Sequence, residues 1–576
     1  MSASSCRFGN NMRGVQRTPP AAHAHKISVP CRRSRSSCSR FVVRTRAETS
    51  ATSPGEQMSG TPPDLAPHIA PSVVNRLRPP SVWGKEWKGD DERAPGQMPG
   101  PPAYPMKQWG AHRVLLQGFN WESCKHAEKS KDGKTWYKVM ELCAGTMSRV
   151  GVTDVWFPPS SQSVAPQGYL PGMLYDLKTP YGNEDELKST IDTLHKHGIA
   201  CIADIVINHR CASFQDENGI WNQFEGGTPD EKLDWGSWAI VKGDAKFAGS
   251  ALRSDTGEDY DAAPDIDHRN ETVQKDLSEW MRWLRDEVGF DGWRWDYAKG
   301  FAPWVIGALN AQTNPVFSVI EYWSAMGYGD GGLNADQDHH RQELCNYVDA
   351  SVYTATEHLQ YDGDNTVQST GAFDFTTKGI LQDAVGKDEF WRLKDKDGNP
   401  PGLLGWWPES AITFLDNHDT GSTQGHWPFP GEFAGAGYAY ILTHPGYPCL
   451  FWDHVFDWGE ELKTSIELMV RARIRNRVGG RCEEVVIHRA DHECYLATIK
   501  GRAESDAGDA RLAEEQEIRQ NPASEVTPWL GGEVVERRHG ELAVRIGHGD
   551  AGPPGDGWDL VCEGPKFCVW ERRAAE

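Results

Sequence analysis

From about Arg113 onward, short apolar runs alternate with stretches in which apolar residues recur every three or four positions. The runs are RVLLQGF near residue 113, VTDVWF near 152, IACIADIVIN near 199, GFDGWRW near 289, VFSVIEYW near 316, AITFLDN near 411 and PCLFW near 448. Runs of this kind suit strands buried on both faces, and their alternation with helices predicts βα units around a parallel sheet. Two of the intervening helices can be read directly. Asn183 and Glu186 have the spacing of a capping box, and Leu187, Ile191 and Leu194 then share one face before a stop at Gly198. Val273, Leu277, Trp280, Leu284 and Val288 form a second apolar stripe, able to cover a barrel.

Three regions break this rhythm. Residues 209–268 form a long excursion rich in Asp, Gly and Trp, and a loop that long is usually functional or a small domain in itself. Over 481–576 the pattern changes to short alternating runs, EVVIHRA, CYLATI, LAVRIG and KFCVWERR, which predict a terminal antiparallel β domain. The acidic insertion AESDAGDARLAEEQEIRQ within it reads as a solvated loop or helix. Residues 49–105 are rich in Pro, Gly, Ser and charge, with little periodicity, and read as a linker. The predicted fold class is therefore α/β: a (β/α)8 barrel over 106–480, interrupted by the excursion and followed by the β domain.

Composition narrows the function. The chain has 576 residues and a net charge of −22, which disfavours phosphate-steered nucleic-acid binding. Its 24 Trp supply flat apolar surfaces that suit sugar faces or a core. Residues 1–48 contain nine Arg, Lys26, many Ser and no acidic residue before Glu48, the composition of an organelle transit peptide. A plastid is the expected destination, with mitochondrial import the nearest competitor. No apolar stretch approaches the roughly 18 to 20 residues needed to span a bilayer. Cys6, Cys31 and Cys38 lie in the leader, and the other ten cysteines show no paired CxxC, so free thiols are expected. Pairing of Cys562 with Cys568, or of Cys482 with Cys494, stays open as a redox alternative. A monomer is expected.

Four polar segments fall at or just after predicted strand ends, where a barrel of this kind carries its chemistry: DIVINH from Asp204, GWRWD ending at Asp296, VIEYW with Glu321, and DNHD from Asp416 to Asp419. Arg294 and Asp296 are two apart on a strand and should face the same side, so the Arg charge is expected to hold that carboxylate ionised. Glu321 follows the apolar run VFSVI, and a partly desolvated carboxyl there should keep its proton for general acid work.

Together with QGFNWES, GYLPGMLYDL, AAPDIDH, GFDGWRWDYAKG, FLDNHDTGSTQ and PGYPCLFWDHVFDWG, these segments resemble the α-amylase family of glycoside hydrolases in its plant-type form, in order over more than four hundred residues. The resemblance implies a catalytic barrel with the excursion as its B domain, and a retaining cut inside α-1,4-glucans such as starch. It implies Asp296 as nucleophile, Glu321 as general acid/base and Asp419 as the stabilising carboxylate. The first two carboxyl groups should lie about 5 to 5.5 Å apart, as retention requires. It further implies sugar contacts from Tyr169, His209 and His418, a leaving-group side lined by Lys299 and Trp323, and Arg294 as a site residue whose structural partner is Asp204. Hard oxygen ligands imply Ca2+ rather than zinc. A first ion would use Asn208, Asp255, Asp265 and the carbonyls of Ala263 and Gly300. A second would share Ala263 and Asp265 and add Asp244, Asp259 and the carbonyl of Tyr260, and a third would use Glu225, Thr228, Asp230 and Asp234. Two other readings remain open at this point, an α-glucan transglycosylase of the same family and a noncatalytic glucan-binding protein.

Overall fold

In the computed structural model, eight parallel strands close into a barrel in sequence order, with β8 returning to pair with β1. The structure describes residues 106–107, 113–358, 367–368, 370–480, 482–502, 529–530, 533–534 and 540–573. The expected leader (1–48), the expected linker (49–105), the acidic insertion and much of SVYTATEHLQYDGDNTVQST lie outside these residues.

The barrel strands are β1 (Leu115–Gln117), β2 (Asp154–Trp156), β3 (Ala200–Ile205), β4 (Gly292–Trp295), β5 (Ser318–Ile320), β6 (Gly371–Phe373), β7 (Ala411–Phe414) and β8 (Tyr447–Phe451). Six of them lie within the apolar runs read from the sequence, β8 begins one residue before its run, and β6 lies in none of them. The helices that follow them in turn are α1 (Trp136–Val150), α2 (Glu184–Lys196), α3 (Glu271–Trp283), α4 (Pro303–Thr313), α5 (Asp338–His358), α6 (Phe375–Lys387), α7 (Ala434–Thr443) and α8 (Glu460–Arg475).

Local sequence explains the helix limits. At α2 the Asn183 side chain accepts from the Glu186 amide while the Glu186 carboxylate accepts from the Asn183 amide, which satisfies two amides that the first helical turn leaves free. Leu187, Ile191 and Leu194 are buried, as are Val273, Leu277, Trp280, Leu284 and Val288. The second stripe outruns α3, because a π turn over Leu284–Val288 carries its last two residues inward.

The excursion leaves the barrel after β3 and contains a two-stranded hairpin, Phe214–Gln215 with Trp221–Gln223. Beyond the barrel, β9 (Glu484–Ala490), β10 (Cys494–Lys500), β11 (Glu541–Gly547), β12 (Trp558–Gly564) and β13 (Phe567–Arg572) form one antiparallel sheet in the order β9-β10-β11-β13-β12. It is tied to the barrel by Arg475, whose guanidinium meets Glu571 at 2.9 Å, and by Lys566, whose ammonium donates to the Val385 carbonyl at 2.8 Å. All ten described cysteines are free, so neither Cys562–Cys568 nor Cys482–Cys494 is bridged.

Candidate active site

The site is organised around one buried guanidinium. Asp204 on β3 and Arg294 on β4 are register partners, so both side chains enter the barrel at the same level. Arg294 Nη1 donates to Asp204 Oδ1 at 2.8 Å and to Asp296 Oδ1 at 2.7 Å, and Nη2 lies 2.6 Å from Glu321 Oε1. Asp296 and Glu321 sit one residue past β4 and β5, and their amides continue the barrel ladder to Ile205 and Trp295. The arginine is closed in from its face by Trp156, 4.6 Å from ring centre to guanidinium carbon.

The two carboxylates are held differently. Asp296 accepts an aligned hydrogen bond, whereas the Glu321 contact is an ion pair without that alignment, so Oε1 has no hydrogen-bond partner. Glu321 Oε2 accepts only a long bond of 3.3 Å from the Tyr297 amide. Asp296 thus accepts an aligned bond from Arg294, while Glu321 meets the same guanidinium as a close ion pair. Asp204 is fully engaged, because Oδ2 accepts from Tyr169 Oη and Trp156 Nε1, each at 2.9 Å.

The electrostatics differ from the simple expectation for Asp296. Arg294 does favour its charged form, but burial outweighs that attraction, and the Glu321 and Asp204 carboxylates add to the upward push, so its carboxyl is raised well above the usual range. Burial also lifts Asp204 to about 6 against the pull of Arg294. Burial and mutual repulsion thus push the Asp204 and Asp296 carboxyls up while the shared Arg294 charge pulls both down.

Across the cavity, the DNHD loop after β7 presents His418 and Asp419, with His418 Nε2 3.6 Å from Asp419 Oδ2. Burial raises the Asp419 carboxyl, opposed by Arg294. Burial likewise lowers His418 to about 3 and His209 to about 4, so both imidazoles are neutral hydrogen-bonding groups. The Tyr169 ring stacks on His418 at 4.9 Å and 2°, and its carbonyl oxygen meets His209 Nε2 at 2.9 Å. His209 in turn stacks on Tyr260 at 3.7 Å. Trp323 is parallel to Phe375 at 5.2 Å and to Trp427 at 6.5 Å. Lys299 pairs with Glu258 of the excursion at 2.9 Å.

The excursion brings oxygen ligands to the β3 and β4 ends. Asp255, Asp259 and Asp265 offer carboxylate oxygens within 4.8 Å of one another. Asp255 Oδ2 is buried without a hydrogen-bond partner. Asn208 Nδ2 donates to Asp265 Oδ1 at 3.2 Å, and Asp244 Oδ2 accepts from the Asp265 amide at 3.3 Å. Asn208 Oδ1 would lie 2.1 Å from a Cβ placed on Gly300, so only glycine permits this approach. The Glu258 amide donates to Lys299 O and the Ala302 amide to Thr256 Oγ1, which fastens the excursion to the YAKG turn. The donor set is all oxygen and includes an orphaned buried carboxylate oxygen, which fits a hard divalent cation. Among the described residues, Glu225, Asp230 and Asp234 do not converge in this way. Asp230 pairs with Lys232, Lys232 N donates to Thr228 Oγ1, and Asp234 accepts from Gly226 N.

Several site residues escape the sequence reading. Trp121 lies parallel to Tyr169 and His418 at 6.3 and 6.0 Å, and Gln117 Nε2 contacts His418 Nδ1 at 3.0 Å. Both lie inside QGFNWES, so the motif itself was the signal. Lys378 on α6 is fully buried and donates to the Trp427 carbonyl at 2.8 Å, with Asp416 at 3.7 Å. Asp416 accepts from Thr420 Oγ1 and from the Phe429 amide, which folds the loop carrying His418 and Asp419.

Known proteins resemble the chain over most of its length. Residues 147–359 match the model of the α-amylase catalytic domain, and residues 475–571 match that of the α-amylase C-terminal β-sheet domain. The chain is 38% identical over 461 residues to chloroplastic alpha-amylase 3 of Arabidopsis thaliana, covering 80% of this chain and 44% of that one. It is 36% identical over 459 residues to probable alpha-amylase 2 of the same plant, covering 80% of this chain and 94% of that one. Among solved structures, a gamma-CGTase of alkalophilic Bacillus clarkii superposes with a TM-score of 0.52 at 16% identity, covering 82% of this chain and 71% of that one, a likeness of fold.

Proposed function

Because the chain belongs to the α-amylase family of glycoside hydrolases, we propose that it cuts α-1,4-glucans such as starch internally, with retention of anomeric configuration. The observation that carries this reading is the single guanidinium of Arg294, which holds Asp296 and Glu321 side by side at adjacent strand ends.

In the first step Glu321 donates a proton to the glycosidic oxygen as the bond from C1 breaks, and the Asp296 carboxylate attacks C1 to form a glycosyl ester. In the second step the Glu321 carboxylate takes a proton from water, whose oxygen displaces Asp296 from C1. Glu321, held beside Asp296 by Arg294, delivers the proton of the first step. Asp419 faces the positive charge that develops at C1. His209 and His418, kept neutral by burial, bind hydroxyl groups, and the Tyr169 ring supports the sugar at the cleavage point. Trp323 and Lys299 line the leaving-group side, and Trp427, parallel to Trp323, extends that wall.

The residues that would hold calcium are Asn208, Asp255 and Asp265 with the carbonyls of Ala263 and Gly300, and Asp244, Asp259 and the Tyr260 carbonyl for a neighbouring ion. Calcium there supplies positive charge that neutralises the gathered carboxylates, so the excursion stays pinned against the YAKG turn as one wall of the cleft. A chelator is therefore expected to lower both the melting temperature and the release of reducing ends from soluble starch. If neither changed, the metal role would be wrong, and if no reducing ends were released with calcium present, the hydrolytic reading would be wrong.

The Arg- and Ser-rich first 48 residues and the chloroplastic relative support a plastid location. A fluorescent fusion to the first fifty residues is expected to enter plastids, and signal retained in the cytosol would reject that address.

A further inference from the structure

At the opposite end of the barrel from the carboxylates, a second group of ligand atoms converges. Cys201 lies near the start of β3, His195 in the last turn of α2, and Asp291 just before β4. The thiol, an imidazole nitrogen and a carboxylate oxygen of these residues lie within 4.8 Å of one another. Asp291 Oδ2 accepts from the Cys201 amide at 2.7 Å and contacts His195 Nε2 at 2.8 Å. Neither contact uses the Cys201 side chain, since one is made by its backbone amide and the other joins His195 to Asp291. The Cys201 thiol is free, wholly buried, and takes part in none of the side-chain hydrogen bonds of the described residues.

Tetrahedral zinc, with bonds of roughly 2.3 Å to sulfur and 2.0 to 2.2 Å to nitrogen or oxygen, places its ligand atoms roughly 3.3 to 3.6 Å apart. Burial raises the Cys201 thiol well above its usual range, and the carboxylates of Asp291, Asp154 and Asp192 raise it further, although Arg113 pairs with Asp154. The side chains of His195 and Asp291 are 39% and 23% exposed, which gives an ion a way in and leaves a fourth position open to water.

We infer that His195, Cys201 and Asp291 form a binding site for a thiophilic divalent cation of the zinc type, separate from the all-oxygen group of the excursion. On binding, the thiol proton passes to solvent, and sulfur, imidazole nitrogen and carboxylate oxygen each donate a lone pair to the metal. The oxygen-ligand group cannot imitate this, because a hard cage of carboxylates and carbonyls contains no sulfur.

The experiment uses the full chain, reduced and saturated with calcium, titrated with Co2+ as a spectroscopic stand-in for zinc. The expected result is one equivalent of cobalt showing a thiolate-to-metal charge-transfer band, abolished in Cys201→Ala, with apparent affinity at least tenfold weaker in His195→Gln. His195 is half-exposed, so its variant keeps the test decisive if the buried alanine substitution does not fold. No thiolate band in the wild-type chain, an undiminished band in Cys201→Ala, or unchanged affinity in His195→Gln would overturn the assignment.

Discussion

Glu321→Gln is expected to lower turnover of soluble starch by about 10³-fold or more while leaving starch binding within a few-fold of wild type. Glutamine keeps the shape and a carbonyl oxygen near Arg294 but cannot give up a proton to the leaving oxygen or take one from water. Both halves of the double displacement therefore fail. Binding persists because the sugar contacts proposed for Tyr169, His209, His418 and Trp323 do not involve this carboxyl. Co-sedimentation with starch, measured beside reducing-end release, separates the two effects. Turnover within tenfold of wild type would move the acid/base role to another residue.

Arg294→Leu carries the second large effect, and here stability and catalysis should fall together. The guanidinium is fully buried and is the shared cationic partner of Asp204, Asp296 and Glu321. Removing one member of a buried ion cluster leaves uncompensated charge and typically costs about 3–5 kcal/mol. The three carboxylates would then be neutralised by protons, and Asp296 would lose the ionised form that attack on C1 requires, so kcat should drop by about 10³-fold or more. Arg294→Lys should recover part of the stability and little of the rate, since an ammonium is a point charge without the planar fork that meets all three carboxylates at once. Denaturant unfolding with single-turnover kinetics on the same samples checks both. Wild-type stability combined with near wild-type kcat in Arg294→Leu would show that the guanidinium is not the organising charge.

How much of this was legible in the chain depends on where the information resides. The apolar runs around Ala200–Ile205 and Gly292–Trp295 announce buried parallel strands because both faces of such strands are covered. β6 was missed because Gly371–Phe373 is three residues long and led by glycine, and it takes its place through pairing with β5 and β7 rather than through its own pattern. The Asn183 cap was readable because its partners lie three residues apart. The shared use of Arg294 by Glu321 was not, since it depends on the closure of β4 against β5. The full balance of charges acting on Asp296 was not legible for the same reason. Sequence shows an Arg two residues away, but not the two other carboxylates or the burial that outweigh it. Lys378 was hidden too. Within a helix a lysine usually reads as a solvated position, and only the fold shows its ammonium beneath Trp427.

The most direct test of the central claim is the anomeric form of the first product, followed by proton NMR as a maltooligosaccharide is cleaved. The account predicts that the α-anomer forms first and decays to the equilibrium mixture by mutarotation, because Asp296 and water displace in succession at C1. Initial appearance of the β-anomer would mean a single displacement by water, and would contradict the assignment of Asp296 as the attacking group.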